Sequence, residues 1–225
     1  MGKKIQTANS TIKLKIYFPS EKSRTGVIFI PGVSGGALSE RWDDFSNKIV
    51  ESGFGLLRYE SWKNGEELFK KTIRIVHEEL DSLVEELKGH GFDDIVIVGK
   101  SFGGGLALTY RNPSIKHMVL WAPAIGVSDS SNVNESLDTR LGNFKLMTDI
   151  KVDEGFLKDL NVRVDIIHGT SDDVIQLNNS RELVKILKNA ELTIIDGADH
   201  SFKTKEHNEK LIKKTIELMK RQNNN

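Results

Sequence analysis

Ile95-Val96-Ile97-Val98-Gly99-Lys100-Ser101-Phe102-Gly103-Gly104-Gly105-Leu106-Ala107-Leu108 is the stretch whose reading decides the fold. Four consecutive apolar, β-branched residues describe a central parallel strand buried on both faces. Leu106-Ala107-Leu108, reached through three glycines, can continue a helix. So tight a passage from strand to helix forces Ser101 into a strained backbone conformation and holds its side chain clear of the sheet. The glycines at 99 and 103 matter because a Cβ there would crowd the neighbouring strand or helix.

A glycine-rich turn between strand and helix has three readings. Gly99-Lys100-Ser101 mimics the end of a phosphate-binding loop, but that motif needs glycine at position 94, where Asp94 stands. The glycines at 99, 103, 104 and 105 also miss the G-x-G-x-x-G spacing of a dinucleotide fingerprint. G-x-S-x-G fits at every position. Ser101 is therefore a candidate nucleophile, which requires a base, an acid and an oxyanion hole from elsewhere in the chain.

Outward from this turn, strands alternate with helical patterns. Ile5 to Phe18 reads as two antiparallel strands joined by a polar turn, and Val27 to Ile30 as a buried strand ending at Pro31-Gly32. Trp42 to Ser52 reads as a helix and Phe54 to Arg58 as a strand. Phe69, Ile73, Val76, Leu80, Leu83 and Leu87 recur at helical spacing, which predicts one helix from Glu66 to Lys88. Beyond Ser101 the pattern predicts strands at 117–121, 162–167 and 192–195, and helices near 179–187 and 205–219. The expectation is an α/β fold: a mostly parallel central sheet with helices on both faces, in one domain spanning 1–225. Residues 124–161 break the rhythm. They are polar, with Phe144, Leu146, Met147, Ile150, Phe156 and Leu157 scattered among them, and read as a lid-like insertion or a long surface crossover.

The 225 residues carry 32 basic and 32 acidic side chains and no cysteine. The balanced charge offers no nucleic-acid or acidic-membrane footprint. The missing thiols exclude disulfides, thiolate metal sites and a cysteine nucleophile. No apolar run approaches the roughly 20 residues of a membrane span. The basic start has no apolar segment behind it, so the expected location is cytoplasmic. There is no H-E-x-x-H or equivalent cluster, and neither a metal nor another cofactor is implied.

His200, in Asp196-Gly197-Ala198-Asp199-His200-Ser201-Phe202, falls between the last strand and the last helix, at the carboxyl edge where open α/β sheets gather reacting groups. An imidazole there can take the serine proton and return it to a leaving group. Asp172 and Asp173 follow the preceding strand at the same edge. Either can orient the imidazole, and either can be a turn residue. The oxyanion hole needs two backbone N–H groups, for which Phe102 and Val33 are the candidates; Gly32 to Gly36 can also be read as a mere flexible loop. Trp62 can wall an acyl pocket or pack in the core. His77, His90 and His207 sit in polar contexts and read as solvated. His117 and His168 border strands and read as structural.

Gly99-x-Ser101-x-Gly103, Leu120-Trp121-Ala122-Pro123-Ala124, His168-Gly169-Thr170-x-Asp172 and Gly197-Ala198-Asp199-His200-Ser201-Phe202 together resemble the α/β-hydrolase superfamily from about Val27 to the last helix. The resemblance is to small bacterial serine esterases of the cinnamoyl/feruloyl-esterase and monoacylglycerol-lipase-like group, near the dienelactone-hydrolase-like proteins. It implies a carboxylesterase acting on a small-molecule acyl ester, with Ser101, Asp172 and His200 as triad. It favours Asp172 over Asp173, because the acid of those relatives is the fourth residue after the strand-end histidine. The same machinery serves thioesterases and peptidase-like acyl hydrolases, and a catalytically silent binding relative is the remaining reading. Pro31 stands where many relatives have histidine, Arg58-Tyr59-Glu60-Ser61-Trp62 departs from their usual run, and the insertion is shorter than a typical cap. Dienelactone hydrolases proper use a cysteine, which this chain lacks. Oligomeric state is not readable from the sequence.

Overall fold

The computed structural model describes residues 3–125 and 152–222. Eight strands form one sheet: β1 (Lys3–Gln6), β2 (Thr11–Tyr17), β3 (Thr25–Ile30), β4 (Gly55–Glu60), β5 (Asp94–Lys100), β6 (Ile115–Trp121), β7 (Arg163–Gly169) and β8 (Ala190–Ile195). Their spatial order is β1-β2-β4-β3-β5-β6-β7-β8. The pairs β1–β2 and β2–β4 are antiparallel, and every pair from β4 onward is parallel.

The helices are α1 (Asp43–Glu51), α2 (Gly65–Leu68), α3 (Ile73–Gly89), α4 (Phe102–Thr109), α5 (Glu154–Lys158), α6 (Leu177–Ile186) and α7 (Lys205–Gln222). The sheet separates two apolar clusters. Ile28, Ile30, Ile95 and Ile97 point to the face covered by α3, α4 and α6. Val27, Phe29, Val96 and Val98 point to the face covered by α1 and α7. Both parities are apolar because both faces are buried, as a parallel sheet requires.

β3 pairs with β4 on one side and β5 on the other, so the chain reverses direction across the sheet at this point. The carboxyl ends of β3 and β5 thus flank a topological switch point, where open α/β sheets place their ligands. Ser101 follows β5 directly.

The single helix expected over 66–88 is two. Asn64 caps α2 by accepting from the Glu67 amide at 2.9 Å, and Thr72 caps α3 by accepting from the Ile75 amide at 3.2 Å. Thr72 competes with a continuous helix for backbone hydrogen bonds, and its side chain starts a new one instead. Phe69, freed from the stripe, packs edge-on against Phe102, with ring centroids 5.6 Å apart. In the expected 124–161 insertion, residues 126–151, including Phe144, Leu146, Met147 and Ile150, lie outside the described residues. Phe156 and Leu157 belong to α5, and Leu157 is buried against the α3 and α4 side of the core. No helix among the described residues is long and apolar enough to cross a membrane.

Candidate active site

The turn after β5 holds Ser101 at φ 53° and ψ −121°, a left-handed conformation that costs about 1–3 kcal/mol for a residue with a Cβ. Surrounding bonds enforce it. The Ser101 amide donates to the Trp121 carbonyl at 2.8 Å, and the Ser101 carbonyl accepts from Gly104, Gly105 and Ala124 at 2.9, 3.2 and 2.9 Å. A Cβ on Gly99 would lie 2.8 Å from Gly104 Cα, and one on Gly103 would collide with the carbonyl oxygens of Pro31 and Ile30. Gly103→Ala is therefore expected to destabilise the fold by about 1–3 kcal/mol or more, because backbone cannot yield as a side chain does. Urea unfolding of the variant measures this, and an unchanged midpoint would contradict the close approach.

His200 enters from the loop between β8 and α7. Its Nε2 lies 3.0 Å from Ser101 Oγ and its Nδ1 lies 2.7 Å from Asp172 Oδ2. Asp172 sits in the turn after β7, where its Oδ1 accepts from the Val174 and Ile175 amides at 2.9 and 2.7 Å. Neighbouring Asp173 is exposed. The carboxylate is 1% exposed and the imidazole 12%. The three side chains thus form one hydrogen-bonded row at the carboxyl edge of the sheet, contributed by three separate strand ends.

Burial alone would raise the Asp172 carboxyl pKa. Hydrogen bonds from His168, His200 and the Ile175 amide outweigh it and hold the group well below the ordinary carboxylate range. A depressed folded pKa contributes stability that is complete above the unfolded value near 3.8 and lost as pH falls through the folded value. The stability advantage of the wild type over Asp172→Asn should therefore be constant above about pH 5 and shrink below about pH 4. A difference independent of pH in acid-titration experiments would refute this assignment.

His168 has a larger part in this row than its sequence context indicates. It is wholly buried at the end of β7, with Nδ1 2.7 Å from Ser180 Oγ and Nε2 2.9 Å from the Ile175 carbonyl and 3.1 Å from Asp172 Oδ2. The network assigns the proton to Nε2, shared between the Ile175 carbonyl and the Asp172 carboxylate, while Nδ1 accepts from the Ser180 hydroxyl. His77 is also not simply solvated: its Nε2 lies 2.9 Å from Thr109 Oγ1, next to the end of α4. His90 is exposed and contacts Glu86 at 3.2 Å. His117 is wholly buried and pairs with Asp165 at 2.6 Å near the opposite edge of the sheet.

Phe102 follows Ser101 directly in the chain, and Val33 belongs to a loop that approaches Ser101. Phe102 is the first residue of α4, and Val33 follows Gly32 in the loop leaving β3. That loop touches the turn after β5: a Cβ built on Gly32 would be 3.4 Å from Ser101 Cβ and 3.9 Å from Ser101 Oγ. Trp62 is 1% exposed and donates from Nε1 to the Gly32 carbonyl at 3.2 Å, so it packs beneath this loop within the core. Among the described residues no group of three or more His, Cys, Asp or Glu side chains is arranged to hold a metal ion.

Sheet order, strand-to-helix turn and structural likeness define the fold as the α/β-hydrolase fold. The chain is similar to Est1E from Butyrivibrio proteoclasticus, with 19% identity over 100% of this chain and 99% of that one, and a TM-score of 0.81. It is similar to an esterase from Exiguobacterium antarcticum, with 15% identity over 98% and 100% and a TM-score of 0.75. A monoacylglycerol lipase from Paleococcus ferrophilus gives 17% identity over 94% and 99% and a TM-score of 0.70. A comparison with curated proteins found no match. The chain belongs to the uncharacterised protein family UPF0227, whose model matches residues 67–217 and so includes Ser101, Asp172 and His200.

Proposed function

We propose that this protein is a serine hydrolase that cleaves a carboxylic ester through an acyl-enzyme on Ser101. The observation that carries the reading is the Ser101–His200–Asp172 hydrogen-bonded row at the switch-point edge. His200 Nε2 takes the Ser101 proton as Oγ attacks the acyl carbon, and returns it to the departing alkoxide. Asp172 holds Nδ1–H, which fixes the tautomer and stabilises the imidazolium. The Val33 and Phe102 amides receive the tetrahedral oxyanion, and water then repeats the sequence on the acyl-enzyme.

His168 and Trp62 act as positioning residues in this mechanism. One steadies the carboxylate, and the other steadies the Gly32 carbonyl below the oxyanion loop. Est1E has been solved with ferulic acid bound, which makes hydroxycinnamoyl esters a sensible first panel beside simple aryl esters.

The test is covalent labelling with a fluorophosphonate probe, followed by peptide mass mapping. The expected adduct is on the Ser101 peptide and is lost when His200 is replaced by alanine. An unlabelled, folded protein with no turnover on any ester would overturn the proposal.

A further inference from the structure

The Asp172 carboxylate serves two imidazoles, and only one of them touches Ser101. Its Oδ2 faces His200 Nδ1 at 2.7 Å and His168 Nε2 at 3.1 Å. His168 Nδ1 in turn lies 2.7 Å from Ser180 Oγ on α6. A second row, Ser180–His168–Asp172, thus stands behind the one that ends at Ser101. His168 and Ser180 are both wholly buried.

The acceptors fix the polarity of this second row. His168 Nε2 meets two oxygens, the Asp172 carboxylate and the Ile175 carbonyl at 2.9 Å, so it carries the proton. Nδ1 is then bare, and the Ser180 hydroxyl is the donor it meets. The elements around His168 present uncharged groups to it: α6 turns Asn179, Ser180 and Leu183 inward, and β8 sets Ile194 in register with it. The charges around the triad are Lys100 at the end of β5, on which Asp172 and Asp199 both act, and the Asp199–Lys203 pair of the β8–α7 loop, 3.6 Å apart.

A hydrogen bond to a carboxylate oxygen engages part of its charge. Of the interactions that keep Asp172 ionised against its burial, the bond from His168 is the leading one. Charge engaged by His168 is withheld from the imidazolium that forms on His200 when Ser101 gives up its proton. We propose that His168, oriented by Ser180, tempers the pull of Asp172 on His200, so that His200 serves as base at lower pH than it would on an unshared carboxylate. His168 is then a positioning residue that acts through Asp172 and sets the acid limit of activity. The inference rests on the serine-hydrolase reading and adds a control over the same site.

Two arms test it. The first measures kcat/KM on one aryl ester between about pH 4 and 8. An asparagine amide at position 168 can keep the contact with Ser180 but is too short to reach Asp172, whereas a glutamine amide N–H reaches about as far as Nε2. His168→Asn should move the midpoint of the acid limb upward by about half to one pH unit, a fraction of the worth of a charge-assisted hydrogen bond. His168→Gln should keep it at the wild-type position. Ser180→Ala should move it the same way by less, and an unmoved limb there removes Ser180 from the proposal. His117→Asn is the control, since it deletes another wholly buried imidazole, 2.6 Å from Asp165 near the opposite edge, and should leave the limb in place whatever stability is lost. A limb that His168→Asn leaves unmoved or shifts downward overturns the inference, as does an equal shift in His117→Asn. His168→Met, which also lacks the N–H, is read by the same outcomes if the asparagine variant fails to fold.

The second arm needs no turnover. The His200 ring resonance is titrated by NMR in Ser101→Ala protein, where it is identified by its loss in Ser101→Ala/His200→Gln. Its midpoint should rise when His168→Asn is added. That rise supports the inference even if no ester is hydrolysed, in which case only the hydrolase reading fails. An unchanged midpoint overturns the inference while leaving the hydrolase reading to its own labelling test.

Discussion

Ser101→Ala is expected to lower kcat by about six orders of magnitude, the loss seen when the nucleophile of a comparable triad is removed. The fold should survive. Alanine meets the same φ of 53° with the same Cβ, and among the described residues the hydroxyl's hydrogen-bond partner is the His200 ring nitrogen. The unfolding midpoint should therefore stay close to that of the wild type while turnover vanishes. A variant that keeps its fold and a substantial share of its ester turnover would remove Ser101 from the chemistry. Residual catalysis about 10³ above water would still be expected, because the proposed oxyanion donors, the Val33 and Phe102 amides, remain.

Asp172→Asn should cost about 10⁴ in kcat, and Asp173→Asn only a few-fold. An asparagine can keep its carbonyl oxygen on the Val174 and Ile175 amides, as Oδ1 of the aspartate does at 2.9 and 2.7 Å. Its NH₂ group then faces the two ring nitrogens that now share Oδ2, His200 Nδ1 at 2.7 Å and His168 Nε2 at 3.1 Å. Both rings donate to the carboxylate, so an amide nitrogen meets two donors. His200 would relieve the conflict by moving its proton to Nε2, the atom that must accept from Ser101. The measurement is kcat for both variants on one aryl ester, and the reverse ranking would make Asp173 the acid.

The parts of this architecture legible in the sequence are those with local, repetitive causes. Ile95 to Val98 had to be a doubly buried strand, and the stripe through Ile73, Val76, Leu80, Leu83 and Leu87 had to be a helix. Both are as expected, and every buried strand appears within a few residues of its predicted span. The break at 69–72 was hidden because Phe69 keeps helical spacing with Ile73; only the rest of the fold shows it turning toward Phe102. The hydroxyl, imidazole and carboxylate could be nominated from chain order and strand ends. Choosing between Asp172 and Asp173 could not be done from the residues themselves, since the difference lies in a turn that buries one side chain and exposes the other. His168 carried no signal of its contact with Asp172. A strand-end residue and one four positions on meet only when the turn between them folds back, and here the Asp172 carboxylate is held in that place by the Val174 and Ile175 amides. Trp62 was open between two roles, and its bond to the Gly32 carbonyl depends on packing between β4 and the loop after β3.

The Ser101–His200 contact spans 99 positions of chain. Contacts this distant in sequence are closed late, after the loop entropy between them has been overcome by the sheet that forms in the meantime. A chain emerging from the ribosome would already carry its strained serine turn while the imidazole was still unmade. The Ser101 hydroxyl is therefore without its His200 partner throughout early folding, until the β8–α7 loop has docked. Ester turnover during refolding should accordingly lag behind the recovery of helical signal, and follow the docking of the β8–α7 loop.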